Sequence, residues 1–154
     1  MKKIPLSGRS GKGKFTFVDD DIAKHLPAHI YLTDGGYASL PGGMPIHRLV
    51  MPAVAGKTVD HKNRDKLDNR RINLRYATPQ EQVRNRGTMH HNKSGYKGVV
   101  KKGNRWRATI YTGPNDRIQL GYFRDSAEAA LAYDCAAIQL FGEYASLNII
   151  GRRA

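Results

Sequence analysis

Residues 105–142 read RWRATIYTGPNDRIQLGYFRDSAEAALAYDCAAIQLFG, and this run decides the fold of the second half of the chain. RWRATIYT and RIQLGYF alternate apolar and polar residues, as half-buried strands do, because successive side chains point to opposite faces. Gly113-Pro114-Asn115-Asp116 separates them as a turn. Just upstream, YKGVVKKG at 96–103 is a further alternating run, followed by Asn104, so a three-stranded antiparallel sheet is expected. Beyond Arg124 the period changes. Ala129, Ala132, Tyr133, Ala136, Ala137 and Leu140 recur at helical spacing. Asp125 and Glu128 have the spacing of a capping box, and Gly142 sits where a glycine closes a helix. The alanines let such a helix lie close to the sheet, and one helix on three strands is a complete two-layer unit.

The alternation also assigns faces. Trp106, Ala108, Ile110, Ile118 and Leu120 should face the helix, leaving Arg107, Thr109, Tyr111, Arg117 and Gln119 on the outer face, with Lys97 and Lys102. A basic, aromatic sheet face suits a polyanion. The whole chain agrees: 154 residues carry 26 Lys and Arg against 13 Asp and Glu, a net charge of +13 with a pI near 10.1, so nucleic acid is the first candidate partner, and on this sheet face DNA. Cys135 is the single cysteine, which excludes an intrachain disulfide and a cysteine-built zinc site and fits a reducing compartment. The N-terminal MKKIPLSGRSGKGKF lacks the apolar core of a secretory signal, and no run of apolar residues is long enough to span a membrane.

The first half opens with strand-like KIPL and KFTFV, then DDDIAKHL, whose acidic start suits a helix N-terminus and which Pro27 stops. HIYLTDGGYASLPGGMPIHRLV reads as strand, turn, strand, turn, strand. In TPQEQVRNR, Thr78 fits an N-cap and Pro79 the first helical position. Residues 87–95, GTMHHNKSG, lack periodicity and read as a linker or an ordered surface loop, with His90 and His91 solvated. Between these elements lies VDHKNRDKLDNRRINLR at 59–75, where Asp60 and His61 stand side by side amid positive charge. One histidine can supply a base near neutral pH. One carboxylate with an amide oxygen can hold a hard divalent ion that keeps several waters. Arg70, Arg71, Arg75, Arg84 and Arg86 suit backbone phosphates, and His47 reads as a core histidine.

Both halves resemble known families. YKGV, WRATI, LGYF and AEAALAYDCAAIQLFGEYASLN make residues 96–148 similar to the APETALA2/ethylene-response-factor DNA-binding domain. That resemblance implies a sheet laid in the DNA major groove, with Lys97 and Arg117 at arginine positions of the family. Val100, Thr109, Tyr111 and Gln119 stand where plant members usually have Arg, Glu, Arg and Trp, so the docking mode carries over and the plant sequence preference does not. IHRLVM, VDHKNRDKLDNRRINLRYAT and the Asn85-Arg86 pair make the first half resemble HNH endonucleases of phages and mobile introns, which implies a ββα-metal fold. Carried over position by position, Asp60 is a metal ligand, His61 the general base, Asn73 the residue that ties down the loop, and Gln82 stands where the family has Asn or His as the last ligand. Gln82 either binds through its carbonyl oxygen or fails to reach the ion.

The expected chain is therefore α+β: an HNH nuclease domain at 1–86, a linker at 87–95 and a sheet-and-helix DNA-binding domain at 96–150. The resemblance implies one Mg²⁺ or Mn²⁺ ion, a homing-type nicking activity and a phage- or prophage-encoded protein in a bacterial cytoplasm; a monomer suffices. The alternative is an HNH protein without metal competence that binds or regulates DNA.

Overall fold

The computed structural model describes residues 1–88 and 92–148. The chain is mixed α and β, with small antiparallel sheets. It divides into two compact units, Met1–Gln80 and Glu81–Ala154.

In the first unit, β1 (Lys2–Pro5) pairs antiparallel with β2 (Phe15–Val18), and β3 (Tyr31–Leu32) with β4 (Ala38–Ser39). Helix α1 is one turn, Asp20–Ala23, shorter than DDDIAKHL suggested. Buried Leu6, Val18, Ile30, Ala38 and Ile46 form the core, with Leu26, Leu32, Val50 and Leu67 packed against it. The segment expected as a third strand, IHRLV, is helix α2 (Ile46–Val50) with Pro45 at its N-cap. Ile46 and Val50 lie four residues apart, one helical turn, and that spacing overrides the strand preference of β-branched residues. Next, β5 (Thr58–His61) pairs with β6 (Leu74–Ala77), Asp60 opposite Arg75 and His61 opposite Leu74. The long β5–β6 loop is held to β2, where Phe17 N–H donates to Leu67 O and Asn69 N–H donates to Phe17 O, both at 2.8 Å. Helix α3 (Pro79–Asn85) follows, with Pro79 at its first position as expected, and the division between the units falls within it.

In the second unit, β7 (Val99–Lys102), β8 (Arg105–Tyr111) and β9 (Arg117–Phe123) form one antiparallel sheet backed by α4 (Ser126–Phe141). Trp106, Ala108 and Ile110 pack toward α4, as the alternation required. The buried stripe of α4 is Ala129, Ala130, Tyr133, Asp134, Ala137 and Phe141, rotated from the expected one, and Leu140 stays 44% exposed. Phe141 takes the core position because it continues the four-residue spacing of Tyr133 and Ala137, with which it clusters. Asp125 is the N-cap residue but makes no side-chain cap bond, whereas Gly142 closes the helix as expected. Gly98 has φ +75°, and a Cβ there would stand 2.2 Å from the Tyr133 ring, so only glycine lets this strand start touch α4.

Part of the 87–95 segment is ordered: Asn92 Nδ2 donates to Tyr96 O at 2.7 Å and Ser94 Oγ to Val99 O at 2.8 Å. His90 and His91 lie outside the described residues.

Candidate active site and nucleic-acid face

His61 ends β5 with its side chain inside the first unit, 5% exposed. A chain of hydrogen bonds fixes which of its nitrogens carries the proton. Leu67 O can only accept, so Thr16 Oγ1 donates to it, at 2.8 Å. With its proton spent there, Thr16 Oγ1 accepts from Asn69 Nδ2 at 2.9 Å. That orientation turns Asn69 Oδ1 toward His61 Nε2 at 3.2 Å, so Nε2 carries the hydrogen. In the neutral ring Nδ1 is then the basic nitrogen. Burial pushes the His61 pKa below its ordinary value, against the opposing hydrogen bond that Nε2–H donates to Asn69 and against nearby carboxylates, so the ring is neutral at neutral pH.

Asn73 holds the loop that follows. Its Oδ1 accepts from Asn63 N–H at 3.0 Å and its Nδ2 donates to Asp68 O at 2.8 Å, in a 94% buried position. Asp68 is gripped by the Arg70 fork at 2.6 and 2.7 Å, which holds its carboxyl below the usual range. His47, on α2, sits against His61 with ring centroids 5.2 Å apart and edges crossed, and Tyr37 closes a three-ring cluster. Burial, and the adjacent His61, push the His47 pKa down to about 4. His47 is thus the core residue the sequence suggested, but its neighbour is the candidate base.

Asp60 is 13% exposed in its side chain and receives Arg75 Nε at 3.0 Å and Nη2 at 2.9 Å on Oδ2. Arg75 was expected on a phosphate; it is instead 7% exposed and bound to the carboxylate directly across the strand pair. A buried guanidinium needs a counter-charge, and the register supplies one. Asp60 offers a carboxylate oxygen of the kind a hard divalent ion takes, and among the described residues no three His, Cys, Asp or Glu side chains cluster to hold a metal ion. A carboxylate offers about four acceptor positions, so an arginine and a cation can share it. Gln82 lies half-buried on α3, beyond the division between the units.

On the sheet of the second unit the expected outer face changes in detail. Lys102, Tyr111, Arg117 and Gln119 are exposed, and Arg107 is half-buried with its Nε unpartnered. Lys97 is not presented: its Nζ donates to Arg84 O at 2.6 Å and Arg86 O at 2.7 Å, tying the α3 end to the strand start. Thr109 is only 8% exposed, beside the β-bulge that offsets β8 from β9. Arg84 lies over the Phe141 ring at 4.8 Å, and Arg86 is exposed. Two outer-face residues escaped the sequence reading. Residues directly opposite share a face, so Arg105 joins Lys102, and Tyr122 joins Val100 and Arg107. The bulge flips the parity of β9 before Tyr122, which plain alternation misses.

A family profile described as HNH endonuclease matches residues 40–84. An uncharacterized HNH endonuclease of Acanthamoeba polyphaga mimivirus is 33% identical over 157 aligned positions, covering 94% of this chain and 80% of the relative. An ethylene-responsive transcription factor of Arabidopsis thaliana is 36% identical over 58% of this chain and 58% of its own length. An AP2/ERF and B3 domain-containing protein of Oryza sativa subsp. japonica is 47% identical over 40% of this chain and 17% of its own length.

Proposed function

The chain belongs to the HNH endonuclease family, and from that premise we propose that it hydrolyses phosphodiester bonds in double-stranded DNA, one strand per active site. The observation that carries the reading is the Thr16–Asn69–His61 hydrogen-bond chain, which leaves His61 Nδ1 as the proton acceptor. In this reading Nδ1 takes a proton from the attacking water, and Asn69 steadies the imidazolium through Nε2. Asn73 keeps the loop closed behind the ring. Asp60 would hold a divalent ion, Mg²⁺ or Mn²⁺, with Gln82 the further ligand that the resemblance implies, and the ion would supply charge neutralisation at the phosphate. Arg75 fixes the Asp60 carboxylate from across the sheet. The outer face of the second unit, with Lys102, Arg105, Arg107, Tyr111 and Arg117, lies against the duplex, as the APETALA2/ethylene-response-factor resemblance implies, and supplies affinity.

Gln82 favours a second reading, a DNA-binding protein that does not cut, because its side chain is one methylene longer than the family's asparagine. Supercoiled plasmid with Mg²⁺ or Mn²⁺ separates the two. Relaxed circles from the wild type and none from His61→Ala support the nuclease; binding without relaxation by either supports the second reading.

A further inference from the structure

The β1–β2 hairpin is charged unevenly from end to end. At its open end, acids answer the cations: the N-terminal ammonium meets Asp20 at 2.6 Å, and Arg71 meets Asp21 at 2.6 and 2.8 Å. At its closed end, the loop SGRSGKGK at 7–14 carries Arg9, Lys12 and Lys14, and residues 1–18 contain no acid at all. All three cations are exposed, and among the described residues none of them forms an ion pair. The loop is not slack. Leu6 N–H donates to Lys14 O, Gly11 N–H to Gly8 O, Lys14 N–H to Gly11 O and Ser7 N–H to Ile30 O. The coil is tight enough that a Cβ on Gly11 would lie 2.5 Å from Ser7 O. Three like charges on a short rigid loop with no ion-paired acid make a local positive potential that suits a polyanion.

The same hairpin reaches the candidate site. Thr16 belongs to the hydrogen-bond chain of His61, and Lys14 is two residues before it, about 7 Å along an extended strand. The loop therefore begins about two residues from a member of the His61 hydrogen-bond chain.

We propose that the 7–14 loop is a second DNA contact of this chain, a backbone clamp that grips phosphates beside the cut through Arg9, Lys12 and Lys14. This rests on the DNA reading above, and the test separates the two. Binding of a short duplex to the full chain is followed across KCl concentration without divalent ion. Three proteins are compared: the wild type, the triple variant Arg9→Ala/Lys12→Ala/Lys14→Ala, and a charge-matched triple of exposed lysines elsewhere, Lys24→Ala/Lys57→Ala/Lys93→Ala. The clamp predicts that the loop variant loses about two to three units of log–log salt slope and the matched variant less than one. Equal flattening in both means the effect is net charge alone and overturns the clamp. An unchanged slope in the loop variant overturns it while leaving the DNA reading intact, and a wild type that binds no duplex overturns both.

Discussion

The two units bury different chemistry. Around His61 the buried side chains include Thr16, Asp68, Asn69, Asn73 and Arg75, and hydrogen bonds and ion pairs set their positions. Around α4 they are mostly Ala, Val, Ile and aromatic groups, set by packing. Polar burial survives there as a latch: Asn148 Oδ1 accepts from Lys97 N–H at 2.7 Å, its Nδ2 donates to Lys97 O at 3.0 Å, and its own N–H donates to Asp134 at 2.7 Å. An apolar core tolerates small shifts of any one group, while a hydrogen-bond chain fixes a single proton arrangement and fails when one member is removed. The first arrangement suits a scaffold and the second suits a reacting atom.

Substitutions can break this contrast at several strengths. The largest effect is expected on His61→Ala, where loss of the base lowers cleavage roughly 10²–10⁴-fold with duplex affinity unchanged; plasmid relaxation and anisotropy measure the two. Gly98→Ala attacks the packed unit, because its Cβ meets Tyr133 and Thr109 O in a left-handed backbone. It should cost about 2–4 kcal/mol, read as a fall in Tm by calorimetry, and weaken DNA binding with it. Asn69→Ala strips the partners from Thr16 and His61 at a cost of about 1–3 kcal/mol. It should depress cleavage beyond what its loss of stability explains, whereas Asn148→Ala lowers stability without a separate effect on the chemistry.

pH gives a gentler test. Burial lowers the folded-state pKa of His47 from 6.5 to about 4, so its stabilisation is present above 6.5 and is lost as pH falls toward 4. Tm should therefore decline between pH 6.5 and 4, and less steeply in His47→Phe. Cleavage should rise with pH through a value below 6.5, following the lowered His61 pKa. The smallest effect is expected for Gln82→Asn, a several-fold gain in cleavage at limiting Mg²⁺; a loss would mean the longer side chain is the fitted one.

The two halves also differed in how much could be read from residues alone. Period-two alternation and alanine spacing located β7, β8, β9 and α4, because the rule that buries apolar side chains also writes the pattern. The rule weakened at the bulge, which hid Tyr122, and on α4, where Phe141 rather than Leu140 went inside. In the first half the adjacent Asp60-His61 pair stood out by itself, while Asn73 was picked out only by the resemblance; its amide bonds Asn63 N–H and Asp68 O. Thr16 and Asn69 were not legible as partners of His61. They are 53 residues apart, and hydrogen bonds between side chains that distant leave no periodic trace. Arg75 looked like a phosphate contact because an arginine in a basic run is usually solvated; only the β5–β6 register puts it on Asp60. The IHRLV segment read as a strand because five residues are too few for periodicity to separate helix from strand.

The central claim is that the first unit is wired to present His61 Nδ1 as a base. Histidine nitrogen NMR of ¹⁵N-labelled protein at neutral pH tests it directly. The account predicts a His61 ring protonated on Nε2 alone in the wild type, with that preference lost in Asn69→Ala. A wild-type ring protonated on Nδ1 would contradict it.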